Sequence, residues 1–410
     1  DQFNFDITEI EIIENGNKFL GKKRGIITTD DGIVIIANNF EYNKLTNIII
    51  LSGNVEIEDR IKKSKIFSEN ITYLKNQEIF FSNERSKVIN DGVIIDADKI
   101  KYNKILNEVN AVGNVEVNDT VKKNILYAED VTYIKSEEKI FTKGKTKIIT
   151  NSKYDFDSVD VLLLRNLNEL SSSKKSQVIE NEKLYKFEDF KYFINTELLK
   201  AKNVEIISDY NKTIGERDNV KFDSGFFNLK ENNFTASKTE VKLQKDTFDD
   251  SENDPRIYGV SSSSKSEITT INKAIFTSCK NEDGKCPPWS IKAKKVVHDK
   301  KKRQLIYDNA FLRVYDYPVL YFPKFFHPDP TVKRQAGFLQ PQFNKSDILG
   351  SSLLTPYFIP ISENRDYTFK PTIFDSNIYM FQHEYREKQK NSSLIADFSI
   401  TKGYQSSLPN

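Results

Sequence analysis

The tetrapeptide Gly53-Asn54-Val55-Glu56 returns sixty positions later as Gly113-Asn114-Val115-Glu116, and its surroundings return with it. Asp31-Gly32 recurs as Asp91-Gly92, Tyr42-Asn43-Lys44 as Tyr102-Asn103-Lys104, and the stretch from Glu69 to Tyr73 as Glu129 to Tyr133. Tyrosines at 42, 73, 102 and 133 halve that period to about thirty residues. Such a repeat means one supersecondary unit stacked on copies of itself. No unit buries its apolar face alone, and stacking makes one continuous surface. Function is therefore expected along that surface rather than in a compact catalytic pocket.

The unit reads as strand. In Asn54-Val55-Glu56-Ile57-Glu58 and Asn114-Val115-Glu116-Val117-Asn118, apolar and polar residues alternate with period two. A degenerate third copy, Asn203-Val204-Glu205-Ile206, and Thr239-Glu240-Val241-Lys242-Leu243 continue the pattern. None of the 12 prolines precedes Pro255. Proline cannot donate to a ladder, so a long segment without it suits a continuous sheet. An all-β fold is expected, with Val159–Leu170 read as a helix or an irregular strand.

The 61 basic and 59 acidic residues nearly cancel. A balance of +2 gives no electrostatic case for nucleic acid. No stretch approaches the roughly 20 apolar residues of a membrane helix. The start at Asp1, without methionine or leader, reads as a mature or trimmed chain. No nucleophile elbow, phosphate loop or dinucleotide fingerprint is present, so neither an enzyme nor a cofactor is expected. The three histidines, His298, His327 and His383, form no metal motif, and His327-Pro328-Asp329 reads as a rigid turn. The acidic run from Asp249 to Asp254 lacks the glycine and terminal glutamate of a calcium loop and reads as a solvated loop. Trp289 suits a partly buried anchor better than a sugar platform. Cys279 and Cys286 are either idle thiols or an extracytoplasmic disulfide, local or to another partner; disulfide use is favoured.

From about residue 333 the texture changes. Tyr367, Phe369 and Ile373 alternate with polar neighbours, as do Leu394, Ala396, Phe398 and Ile400. Alternating runs joined by short turns such as Asp375-Ser376-Asn377 mark transmembrane barrel strands, although a soluble antiparallel sheet gives the same signal.

The stretch from Cys279 to Pro341 carries the most specific pattern. It runs through Pro288-Trp289-Ser290, His298-Asp299, Pro318-Val319-Leu320-Tyr321-Phe322-Pro323 and His327-Pro328-Asp329-Pro330. It closes on Arg334-Gln335-Ala336-Gly337-Phe338-Leu339-Gln340-Pro341. This order resembles the LPS-assembly protein LptD family, in which a proline-rich crossing leads to an R-x-x-G-F-L-x-P start of the barrel. The Gly-Asn-Val-Glu repeats resemble the OstA-type unit of the same transport pathway. The resemblance implies a periplasmic OstA-like β-jellyroll over 1–278, its end and the crossing over 279–332, and the first strands of an outer-membrane β-barrel over 333–410. It implies lipopolysaccharide (LPS) as cargo, with acyl chains against Val55, Ile57, Val115, Val117, Val204 and Ile206. Trp289, Pro318, Pro323, Arg334, Gly337, Phe338 and Pro341 would form the approach to the barrel. An LptA-like bridge protein would dock near Phe3 to Ile13, and an LptE-like plug lipoprotein would fill the complete barrel. The family's further cysteines are missing, which puts its long-range disulfide in question. A closed barrel needs at least about 8 strands, and three to five are legible, so the chain is expected to be truncated and Asn410 not its natural end. The alternatives are a soluble periplasmic LPS bridge or chaperone, and a surface β-solenoid adhesin or glycan-active enzyme.

Overall fold

A computed structural model describes residues 3–212, 217–243, 254–280, 287–328, 332, 334–347 and 349–403. It divides into one unit of Asp1–Leu243 with Arg256–Ser278, and a second that contains Cys279–Asn410. Both are all-β, and the only helical segments among the described residues are three-residue 3-10 turns.

In the first unit nearly every strand pairs antiparallel with its successor. Ile33–Asn43, Ile48–Asp59 and Ser64–Leu74 make one such run, and Glu108–Asp119, Asn124–Ile134 and Lys139–Thr150 the equivalent run one repeat later. Each long strand is bent in its middle. The ladder register slips between Ser52 and Val55, and again between Val112 and Val115. Gly53 (φ 78°) and Asn54 (φ 47°) are left-handed there, as are Gly113 (φ 84°) and Asn114 (φ 44°). Glycine and asparagine tolerate that region best, and a bulge bends the strand that carries it. The repeated Gly-Asn pair is therefore the bend. Arg24 and Arg85, one repeat apart, donate to the carbonyls of Asn54 (3.1 Å) and Asn114 (2.8 Å) and staple it.

The bend makes two layers. Beyond it, the two halves of Ser64–Leu74 go to different partners: Thr72–Leu74 pairs with Ile79–Ser82, and Ser64–Phe67 with Ser86–Asn90. Strands Val93–Ala97 and Lys99–Asn103 likewise serve separate ladders before both join Glu108–Asp119. The sheet is thus folded along a line of bulges into a β-jellyroll, with its apolar face inside. One continuous buried core runs from Phe3 to Ala236. At the amino-terminal end, Asn4–Asp6 pairs with Ile26–Thr28 in one layer and Glu9–Ile13 with Lys18–Lys22 in the other.

Val159–Leu170 forms no helix, which corrects one of the two readings offered for it. Strands Tyr154–Val159, Leu162–Leu164 and Glu169–Ser172 follow one another with Asp160 at φ 50°. The run looked helical because the break at Asp160 shifts the alternation out of phase.

In the second unit, Trp289–Asp299, Gln304–Val314 and Tyr317–Pro328 form a meander. A separate seven-stranded antiparallel sheet is built on Arg365–Phe374, Tyr379–Lys388 and Ser393–Lys402. It has more strands than were legible, because Gly337–Phe338, Gln342–Ser346 and Gly350–Leu354 are too short to show alternation.

Candidate functional site

The alternation places Val55, Ile57, Val115, Val117, Val204 and Ile206 between the layers, all between 1% and 8% exposed and all in the continuous core. Ile57 stands between Ile35 and Ile66, and Val117 between Ile95 and Leu126, on neighbouring strands. Val204 pairs with Phe222 and Ile206 with Tyr185. Their neighbours face out: Glu116 lies between Asp96 and Tyr127, and Glu56 beside Phe67. In this structure the interior is filled by side chains.

The far ends of the two layers meet opposite the bend. One lip is made of the turns at 29–32, 60–63, 91–92 and 120–123, the other of the turns at 75–78, 104–107, 135–138 and 165–168. Lysines and an arginine of the second lip reach across. Lys75 contacts Asp31 at 3.2 Å, and Lys104 pairs with the same carboxylate. Lys135 donates to the Lys62 carbonyl (3.2 Å) and lies 3.7 Å from Asp91. Arg165 forks onto Asp119 through Nε (2.6 Å) and Nη2 (3.3 Å), and its Nη1 donates to Tyr133 (3.1 Å) and Glu138. Farther on, Lys153 of the first lip meets Glu197 of the second at 2.8 Å. Cations at 75, 104, 135 and 165 thus recur once per half-repeat along one lip, with carboxylates opposite. The mouth of the fold is a polar seam over an apolar interior.

The repeated tyrosines belong to the same lip. Tyr73 donates to Glu78 (2.8 Å), Tyr102 to Asn107 (3.2 Å), and Ser64 of the other lip donates to Tyr102 (3.3 Å). Burial pushes the hydroxyls of Tyr102 and Tyr133 up to about 12. Burial also pushes the Asp31 carboxyl up, but hydrogen bonds from Lys104, Thr29 and Lys75 outweigh it and hold the group well below the ordinary carboxylate range. Asp31 is therefore charged at neutral pH, and its contribution to the seam is lost only as pH falls below about 4.

A cleft of ≈ 990 Å³ lies on the outer face beside the bend, lined by Glu116, Tyr127, Lys147, Asp157, Lys186 and Glu205 among others. These residues are successive cross-strand neighbours of mixed sign, with Gln177 between Asp157 and Lys186, so the surface largely neutralises itself. Its charges alternate in sign, so it has no single-sign field for a charged ligand.

In the second unit, Trp289 opens its strand half-buried, and the Cys279 thiol approaches the Trp289 carbonyl at 3.8 Å. Cys286 lies outside the described residues, as do Asp249, Asp250, Ser251, Glu252 and Asn253 of the acidic loop. Pro318 and Pro323 lie within the exposed strand Tyr317–Pro328. His327 is part of that strand and not of a turn, which corrects the expectation; its Nε2 is 2.8 Å from the Tyr307 hydroxyl. Arg334 bonds the Glu363 carbonyl at 2.6 Å, pairs with Asp366 and lies over the Phe358 ring at 5.6 Å. Gly337 and Phe338 pair with Phe358 and Tyr357, while Pro341 is exposed beyond them. The R-x-x-G-F-L-x-P segment is thus pinned to one hairpin, Tyr357–Ser362 with Arg365–Phe374. Its acceptor Asp366, shared with Arg386 at 2.7 Å, was not singled out from sequence. Nor were the seam cations, although the half-repeat spacing of 75, 104, 135 and 165 was there to be read.

Known proteins resemble this chain over parts of its length. Residues 22–120 match the family "Lipopolysaccharide-assembly, LptC-related". The LPS-assembly protein LptD of a Polaromonas species is 36% identical over 106 residues, covering 25% of this chain and 13% of that protein. LptD of Pseudoalteromonas translucida is 35% identical over 116 residues (28% and 15%), and LptD of Pseudomonas entomophila 24% over 190 residues (46% and 18%). The matched stretches thus span 13–18% of these relatives' length. Among solved structures, LptH, the LptA-homologous periplasmic component of the lipopolysaccharide transport device of Pseudomonas aeruginosa, aligns at 17% identity. That alignment covers 27% of this chain and 82% of that one with a TM-score of 0.26, a likeness too partial to define the whole fold.

Proposed function

We propose that this chain, whose residues 22–120 match a lipopolysaccharide-assembly, LptC-related family and which is similar over part of its length to LPS-assembly protein LptD, carries LPS through the cell envelope and passes it to a barrel in the Gram-negative outer membrane. Residues 1–278 form the periplasmic carrier, 279–332 the crossing, and 333–410 the first barrel strands. The observation that carries the reading is the continuous apolar interior, built in register from repeat to repeat and bordered along its length by a polar seam. Such a shape suits an amphiphile with several acyl chains. At about 0.8 kcal/mol per buried methylene, the chains supply ample free energy without specific polar contacts. Val55, Ile57, Val115, Val117, Val204 and Ile206 line that path. The transport is non-covalent.

The amino-terminal edge takes an LptA-like partner by strand addition. Asn4–Asp6 and Glu9–Ile13 each pair with Lys18–Thr28 alone among the described residues, and Ile10 and Ile12 are 42% and 58% exposed beside the free edge. In the second unit, Arg334, Gly337 and Phe338 fix the start of the barrel, which in its complete form would receive an LptE-like plug.

The test is co-purification. The full chain, isolated from a Gram-negative host, should carry LPS in near-stoichiometric amount and rebind it after delipidation, whereas deacylated LPS should not bind. Equal retention of intact and deacylated LPS would defeat the reading.

A further inference from the structure

The interior is filled in this structure, so cargo can enter only if the layers part, and the groups that hold them together at the mouth are the cross-lip ion pairs. These pairs are not equal. At the rear, Arg165 and Asp119 are 4% and 1% exposed and doubly bonded. At the front, the Asp31 side chain is 39% exposed and faces lysines that are 11% and 10% exposed. Among the described residues Lys135 has a carbonyl at 3.2 Å and a carboxylate at 3.7 Å.

One difference between the repeats is decisive. Asp59 is the repeat equivalent of Asp119, and Lys104 takes the place of Arg165. Both aspartates cap their turns in the same way: Asp59 accepts from Ile61 and Lys62 (3.0 and 2.8 Å), and Asp119 from Val121 and Lys122 (3.2 and 2.9 Å). The other oxygen of Asp119 holds Arg165, but the other oxygen of Asp59 has no partner among the described residues, although Asp59 is 2% exposed. Lys104 has gone to Asp31 and Glu78 instead. Buried acceptors without a partner among the described residues also occur farther along this lip, at Asn90 and, beside the Asp119 turn, at Asn124. What sets the front apart is the carboxylate: the Asp59 oxygen is buried without the cation that Asp119 has in Arg165, and an entering polar group would satisfy it.

We propose that the seam is a graded ionic latch: it parts from the Asp31 end, where Lys75 and Lys104 exchange between Asp31, Asp59 and the polar head of an entering amphiphile, while the Arg165–Asp119 clamp stays shut. This rests on the carrier reading above, but the latch itself is testable without lipid.

Amide hydrogen exchange on the full chain separates the two. In the lipid-free wild type, the turns at 29–32 and 75–78 should exchange about tenfold faster than those at 119–123 and 165–168. Asp31→Asn, which keeps the shape and removes the charge, should speed the front turns several-fold further and leave the rear unchanged. It should also raise the rate of LPS loading several-fold, while Glu116→Gln on the outer face should change neither. Uniform exchange along the seam, or an unmoved front in Asp31→Asn, would overturn the latch. Front-selective exchange in a protein that takes up no LPS would support the latch and refute the carrier reading.

Discussion

Arg165→Met should lower the stability of the first unit by about 3–5 kcal/mol, because it leaves the buried Asp119 carboxylate charged and without its partner. Asp119 is 1% exposed, so water cannot replace the guanidinium. Glu138, the other partner, is 35% exposed and can be solvated. On a thermal melt of the full chain, the transition of this unit should fall by roughly 10 °C. Adding Asp119→Asn should recover most of the loss. The amide keeps an oxygen for the backbone of Val121 and Lys122 and removes the uncompensated charge. If the double variant is no more stable than Arg165→Met, the pair does not act through charge compensation.

Val115→Asp should cost the same unit more than about 4 kcal/mol, since it places a carboxylate with no partner among apolar side chains. Val115 is 1% exposed and pairs across the ladder with Ala128, which offers nothing to a charge. Its neighbour makes the control. Glu116 stands directly opposite Asp96 on the outer face, a like-charge pair, so Glu116→Lys should be neutral or slightly stabilising. Denaturant titration of the two variants checks this. Similar midpoints would mean that the period-two alternation does not divide inside from outside. LPS loading should follow stability here: Val115→Asp should lose it and Glu116→Lys should keep it.

Much of this architecture was legible in particular residues. The alternation around Val55 and Val115 gave the strands and their buried face, because a period of two has only one physical reading in a sheet. The absence of proline before Pro255 suited a continuous sheet but did not mark its end, since Arg256–Lys265 and Ile268–Thr277 extend the ladder. Gly53-Asn54 and Gly113-Asn114 were visible as repeats, but their role was not: a left-handed residue marks a turn and a mid-strand bulge equally well. The tyrosines at 42, 73, 102 and 133 gave the period and not the place, since nothing local to Tyr102 says that Ser64 faces it across a mouth. The seam was hidden for the same reason. Asp31 meets Lys104, and Asp119 meets Arg165, only after the sheet has folded. The short strands between Gly337 and Leu354 escaped because two to five residues cannot display alternation.

The most direct test of the central claim compares a photoreactive residue inside the fold with one outside it. A benzophenone side chain fits best where an aromatic ring already stands: Phe156, 0% exposed between the layers, and Tyr127, 40% exposed on the outer face. With purified full chain and LPS, irradiation should give an LPS adduct at position 156 and little at 127, and the adduct should disappear with deacylated LPS. Equal adducts at both positions, or adducts at 127 alone, would contradict an interior that carries acyl chains.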